Sequence, residues 1–253
     1  MAPLWLLLAL LGAVFGIGMV GALAGLVLGN LRLPLLLLVV APAQAAGTNM
    51  AISASGAVSG VLAHRSSGHF DQQAFLWMLP TSLLGAFVGG MLASRLPGAW
   101  LVLLIAALLV PQGLSMALGR TPGVASRITT KGRMRLAYLL SGLGIGLLGG
   151  IVGLVLGSIR LPVMLRLGID VRDSVATNLA VGSAVGVAGV AGHLVTGSVD
   201  LTLALLLTPA AIVGALLGVR MMERLTDRRL HQAIGLILLA IGLLLAAQTL
   251  RTW

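Results

Sequence analysis

Gly21-Ala22-Leu23-Ala24-Gly25-Leu26-Val27-Leu28-Gly29-Asn30-Leu31-Arg32-Leu33-Pro34 comes back 128 residues later as Gly149-Gly150-Ile151-Val152-Gly153-Leu154-Val155-Leu156-Gly157-Ser158-Ile159-Arg160-Leu161-Pro162. After one residue of slippage the match continues. Thr48-Asn49, His64, Asp71, Pro80, Gly85 and Gly89 recur as Thr177-Asn178, His193, Asp200, Pro209, Gly214 and Gly218. The chain therefore reads as one unit written twice. Polar residues kept in both copies of an apolar unit point to activity where the two halves face each other.

Composition decides the class. Hydrophobic residues make up 58% of the chain and charged residues 9%, with a mean hydropathy of +1.10; an average soluble domain carries roughly 25% charged residues. This is the make-up of an integral membrane protein. A hydrocarbon core of about 30 Å needs about 20 residues of helix. Segments of that kind run from Leu4 to Gly29, Ala45 to His64, Gln72 to Ser94 and Ala99 to Leu118, then from Leu136 to Gly157, Ser174 to His193, Leu201 to Met221 and Leu230 to Leu250. The expected fold is an all-α polytopic membrane protein of about eight transmembrane helices in two homologous halves. Its organisation is a first repeat over residues 1–118, a basic connector over 119–135 and a second repeat over 136–253.

Two short apolar segments are left over, Leu31 to Val40 and Ile159 to Leu167, each with a proline near its start. They are too short to cross by themselves and are expected to form half-helices. Proline suits the first turn, where its missing N–H is not needed, with Gly29-Asn30 or Gly157-Ser158 supplying the turn and cap. The alternative is a loop lying flat on the bilayer. Broken helices at matching positions in two repeats are the sequence pointer to a transporter's binding site. The glycines spaced by four (Gly21, Gly25 and Gly29; Gly149, Gly153 and Gly157; Gly85 and Gly89; Gly214 and Gly218) are expected to line faces where helix backbones approach closely.

The net charge of +10 gathers at the ends of apolar segments, which indicates topology signals and lipid headgroup contacts rather than nucleic acid. Arg120, Arg127, Lys131, Arg133 and Arg135 sit in a connector without acids, which is placed in the cytoplasm. Four crossings per half then put both termini inside and leave Arg220, Arg224, Arg228 and Arg229 on the opposite face. A re-entrant or additional crossing in each half changes both the sidedness and whether the halves are parallel or inverted. The apolar N-terminus lacks the basic start of a secretory signal, and its later part matches Leu140 to Gly157, so it is expected to stay with the repeat. No cysteine is present, which removes disulfides and thiolate metal sites. Four histidines without thiolates or intramembrane carboxylates give no convincing metal ligand set, and no cofactor is expected.

The candidate substrate residues follow from the duplication. Arg32 and Arg160 stand two residues before the half-helix prolines, where the helix dipole disfavours a cation unless an anion accompanies it. They either snorkel to lipid phosphates or draw an anion to the mouth of a path. Thr48-Asn49 and Thr177-Asn178 are expected in about the first turn of the next spans, either as caps or as part of an anion cradle of backbone N–H groups. Gln44, Ser174, Ser53 and Ser183 extend that polar surface. Asp71 and Asp200 are expected to cap the helices that follow them. His64 and His193 end spans near a membrane surface and are the candidates for carrying protons.

At these residues the chain resembles the TauE/SafE sulfite exporters, a family of bacterial membrane transporters. The resemblance rests on the glycine-rich first helix, Arg-Leu-Pro, Ala45-Ala46-Gly47-Thr48-Asn49-Met50-Ala51-Ile52-Ser53, Ala176-Thr177-Asn178-Leu179-Ala180-Val181-Gly182 and Gly197-Ser198-Val199-Asp200, and it covers nearly the whole chain. Many members carry a denser Gly-x-Gly-Gly-Gly stretch before the proline; here the stretch is shorter and contains arginine. The resemblance implies a multi-pass protein of the bacterial cytoplasmic membrane that exports sulfite, an organosulfonate or a related sulfur anion. Its implied partners are that anion, the bilayer and protons. An anion channel is the alternative within transport. An intramembrane serine protease is the alternative from another class, and Ser55 or Ser59 with His64 is poorly spaced on one helix for such a pair; the chain is read as a transporter and not an enzyme.

Overall fold

In a bilayer a helix satisfies its own backbone, whereas an open strand leaves donors and acceptors unmet. The computed structural model describes residues 4–23, 29–64, 70–119, 131–221 and 228–251. Among those residues the chain forms ten helices: α1 Leu4–Leu23, α2 Gly29–Leu37, α3 Pro42–His64, α4 Gln72–Ala93, α5 Gly98–Ala117, α6 Lys131–Val152, α7 Gly157–Arg166, α8 Val171–Val195, α9 Leu201–Met221 and α10 Arg228–Arg251. Six of them (α4, α5, α6, α8, α9 and α10) are long and apolar enough to cross a membrane by length and composition. The two short helices stand where the left-over segments predicted them. Large apolar side chains such as Leu76, Leu84, Leu205, Leu216, Leu236 and Leu243 face outward, as a lipid-covered surface requires.

The main packing pairs are α4 with α6 and α8, α1 with α9, α5 with α10, and α3 with α8. Close backbone approaches give their directions. Gly142 and Gly146 lie against Ser82, and Gly150 lies against Ala86 and Gly90, so α6 runs parallel to α4. Ala54 lies against Gly186, Met50 against Gly189, and Gly47 against His193 and Ser198, so α8 runs antiparallel to α3. Gly235 meets Ala117, and Gly242 meets Val110, so α10 runs antiparallel to α5.

These directions determine the path of the chain around α7. Helix α6 ends beside the start of α3, because the bend at Gly153 packs on the backbone of Ala46. Helix α8 starts at the other end of the bundle, where Thr177 meets Asp71 at the start of α4. Residues 153–166 therefore carry the chain from one end of the bundle to the other. The residues 153–156 between the helices are non-helical, with left-handed backbone at Gly153 and Leu156, and the ten residues of α7 at about 1.5 Å each cover about half of a hydrocarbon core of roughly 30 Å. The helix alone is too short to cross, as expected from its length.

Local details also differ from expectation. Helix α6 stops at Val152, Gly153 takes a left-handed φ of 71°, and Leu154 N–H donates to Gly149 O at 2.9 Å, closing the helix end in the Schellman manner. Gly149, Gly153 and Gly157 consequently do not share one helical face; Gly25 of the matching series lies outside the described residues. Pro34 and Pro162 are the sixth residues of α2 and α7, in the second turn rather than the first. Each removes the bond that would reach the carbonyl of Asn30 or Ser158. The cap of α7 is Leu156, itself at φ 47° and without a side-chain cap bond, so Gly157-Ser158 open the helix instead of preceding it.

Candidate functional site

Both half-helices carry an arginine as their fourth residue. Arg32 is 6% exposed and Arg160 0%, so neither snorkels to the surface. Arg32 Nε donates to Asn49 Oδ1 at 2.8 Å, and its Nη2 donates to Ser53 Oγ at 2.6 Å and to the carbonyl of Asn49 at 3.3 Å. Asn49 Nδ2 in turn donates to Gly153 O at 2.8 Å, which ties the first cluster to the bend between α6 and α7. Arg160 Nη1 donates to Asn178 Oδ1 and Nη2 to Val155 O, both at 3.3 Å. Asn178 Nδ2 donates to Gly157 O at 3.2 Å. Arg160 Nε has no partner.

All of these acceptors are neutral. A buried cation normally needs an opposite charge to offset its desolvation, and a cation in the first turns of a helix is further opposed by the dipole. In the first turn of α7, Ile159 and Arg160 N–H donate to Leu156 O at 3.1 Å, which leaves the amides of Gly157 and Ser158 without an intrahelical acceptor, and Leu156 contributes no side-chain cap. Guanidinium and helix-end amides together make a surface of donors, the chemistry that recognises a small oxyanion. The ten residues of α7 cover about 15 Å, about half of a traverse of roughly 30 Å, so the Leu156–Gly157 junction falls near its middle.

The other candidates divide. Thr48 and Thr177 are the seventh residues of α3 and α8, in the second turn, away from the free amides. Their hydroxyl oxygens accept instead from backbone N–H groups across the molecule, Thr48 from Asp200 at 3.0 Å and Thr177 from Asp71 at 2.9 Å. Asp71 and Asp200 are caps, accepting from Ala74 N–H at 2.7 Å and Leu203 N–H at 2.9 Å. Ser53 belongs to the Arg32 cluster. Ser174 donates to Ile169 O at 3.4 Å and Ser183 to Ala180 O at 2.9 Å, so both are spent locally, and Gln44 is exposed.

His193 is fully buried rather than interfacial. Its Nε2 lies 2.8 Å from Gly150 O; a carbonyl only accepts, so Nε2 carries the hydrogen, and Nδ1 has no partner. The side chain of His64 lies outside the described residues. Sequence reasoning missed the backbone groups of the site, the carbonyls of Gly153, Val155 and Gly157 above all, because a carbonyl leaves no mark in the residue type. It also read Asn30 as a cap, whereas Asn30 Nδ2 donates to Gln112 Oε1 on α5.

Comparison with known proteins gives a consistent picture. The family model described as Sulfite exporter TauE/SafE matches residues 10–245. A probable membrane transporter protein of Xylella fastidiosa (strain 9a5c) is 28% identical over 241 residues, covering 89% of this chain and 90% of that protein. One from Haemophilus influenzae is 26% identical over 199 residues, with coverages of 76% and 74%. The probable membrane transporter protein YunE of Bacillus subtilis is 24% identical over 263 residues, with coverages of 94% and 96%. No solved structure matches the chain.

Proposed function

The chain belongs to the TauE/SafE sulfite exporter family, and from that premise we propose that it is a secondary transporter exporting sulfite or an organosulfonate across a bacterial cytoplasmic membrane. One observation carries the choice of substrate class: two buried guanidiniums whose hydrogen bonds all end on neutral oxygens. Sulfite and sulfonates share a compact group of three oxygens and a negative charge. That group accepts from guanidinium and amide N–H donors and supplies the charge that the site lacks.

The mechanism is alternating access by two inverted halves. Matching α1–α5 in order with α6–α10 maps the α4–α6 contact onto α9–α1, α4–α8 onto α9–α3, and α2–α3 onto α7–α8. The antiparallel pairs α3–α8 and α5–α10 then join equivalent helices, which an axis in the membrane plane requires. An inverted pair needs an odd number of crossings in each half, and counting each half-helix segment as one gives five. Basic residues support the count. Apart from the two buried arginines, it puts Arg65, the connector, Arg166, Arg172 and the Arg220–Arg229 group on one face, and only Arg95 and Arg251 on the other. The crowded face is cytoplasmic by the positive-inside rule, and the opposed placement of Arg220–Arg229 that eight crossings entailed is removed. Domain limits stay at 1–118, 119–135 and 136–253.

Rocking of one half against the other exposes the midplane clusters to each side in turn. If protons accompany the anion, His193 is the group to carry them, beside the end of α6. The test is uptake of radiolabelled sulfite, sulfoacetate, thiosulfate and sulfate by proteoliposomes, with and without an imposed pH gradient. Saturable sulfite or sulfoacetate flux is expected, and acceleration by the gradient that disappears in His193→Gln assigns the coupling. No saturable flux of these anions with folded protein in the bilayer would remove the reading.

A further inference from the structure

The two arginine clusters are unequal, and the difference traces to one position. In α3 the residue four beyond Asn49 is Ser53; in α8 the residue four beyond Asn178 is Gly182. Ser53 Oγ accepts from Arg32 Nη2 at 2.6 Å, whereas Gly182 has no side chain to offer. The position nevertheless faces the guanidinium, because a Cβ on Gly182 would stand 3.5 Å from Arg160 Nη1.

The consequence runs through both clusters. Arg32 is closed in by the carbonyl and amide oxygens of Asn49 and the hydroxyl of Ser53, and Asn49 spends its own amide N–H on Gly153 O. Arg160 is held by two bonds of 3.3 Å and keeps Nε unmet although its side chain is completely buried. A buried donor on a cation without an acceptor is strongly disfavoured. In the same first turn of α7, a helix of ten residues with no side-chain cap, the amides of Ile159 and Arg160 bond to Leu156 O and those of Gly157 and Ser158, the latter exposed, are left without an intrahelical acceptor. An acceptor from outside the chain answers both deficits.

Resting on the oxyanion-transport reading above, we infer that each chain seats one sulfonate-type anion, in the second half only. The seat lies between the Arg160 guanidinium and the amides of Gly157 and Ser158. The matching first-half cluster is a closed clasp that fastens α2 and α3 to the α6–α7 bend. Gly182 keeps the seat open by withholding the hydroxyl that Ser53 supplies to Arg32.

Calorimetric titration of the purified full chain in nanodiscs with sulfite and with sulfoacetate tests this. Wild type is expected to bind one anion per chain. Gly182→Ser places a hydroxyl on the guanidinium and should weaken binding about tenfold, the scale of one hydrogen bond to a charged group. Gly182→Ala adds the bulk, including the tight approach to Val155, without the acceptor, and its loss should be at least about threefold smaller on the same scale. Two anions per wild-type chain, serine binding within about twofold of wild type, or alanine as damaging as serine each overturn the single seat while leaving the transport reading intact. The wild-type stoichiometry decides the matter if Gly182→Ser does not assemble. A wild-type protein that binds neither anion overturns the transport reading and this inference with it.

Discussion

Asn49 and Asn178 are the same residue in the two copies, yet they have different tasks. Asn49 closes Arg32 and reaches across to Gly153; Asn178 stays within its own half, bridging Arg160 and Gly157 at 3.3 and 3.2 Å. Alanine at 49 removes the acceptor of a buried cation and the donor to a buried carbonyl, at about 2–3 kcal/mol by the usual worth of a hydrogen bond to a charged group. Asn49→Ala should therefore lower both the melting temperature in detergent and the transport rate, whereas Asn178→Ala, which removes longer bonds that stay within one half, should abolish transport with a smaller fall in melting temperature. Uptake and thermal unfolding of the same preparations check the pair. The duplicated arginines and asparagines were legible in the sequence because polar residues repeated within an apolar chain stand out. The threonines were recognised as important but given the wrong neighbours, since the true start of α3 lies six residues before Thr48 and moves the hydroxyl out of the first turn.

At the scale of elements, the bend between α6 and α7 carries the greatest constraint. Gly153 combines a φ of 71° with backbone contact to Ala46 so close that a Cβ there would overlap it. Strain at φ and collision with another helix's backbone act together, so Gly153→Ala should prevent assembly. A fluorescent fusion that runs as an aggregate on size exclusion is the expected result, and a monodisperse peak at the wild-type position would refute the role given to the bend. The long helices were readable from apolar length alone, as were the half-helices from their shortness and proline. Their ends were not, because an apolar stretch from Leu136 to Gly157 gives no sign that the helix stops at Val152 and that residues 153–156 are non-helical. The glycine spacing there suggested a packing face; the backbone uses Gly153 for a turn instead.

At the scale of the whole molecule, the proposed inverted halves with five crossings each account for what counting apolar segments could not. Two basic groups, the connector and Arg220–Arg229, fall on one face if the α7 segment crosses together with α6, α8 and α9. Because the chain contains no cysteine, a single introduced one reports its side without background. Arg95→Cys should react with a membrane-impermeant maleimide on intact cells, whereas Arg127→Cys and Arg224→Cys should react only after the membrane is opened; labelling of Arg127→Cys and Arg224→Cys from opposite sides would contradict the inverted count. The sequence alone left sidedness open because segment length does not tell a re-entrant stretch from a crossing one. Helix directions from backbone contacts support the proposed crossing of the α7 segment.

The central claim is that a small sulfur oxyanion passes through the buried arginine cluster of the second half. Its most direct test is initial-rate uptake of radiolabelled sulfite into proteoliposomes by wild type and Arg160→Gln, at matched protein content and with folding checked by size exclusion. Saturable flux in wild type that falls to the protein-free background in Arg160→Gln is the predicted result. Equal flux in the two, or no saturable flux in wild type, would contradict it.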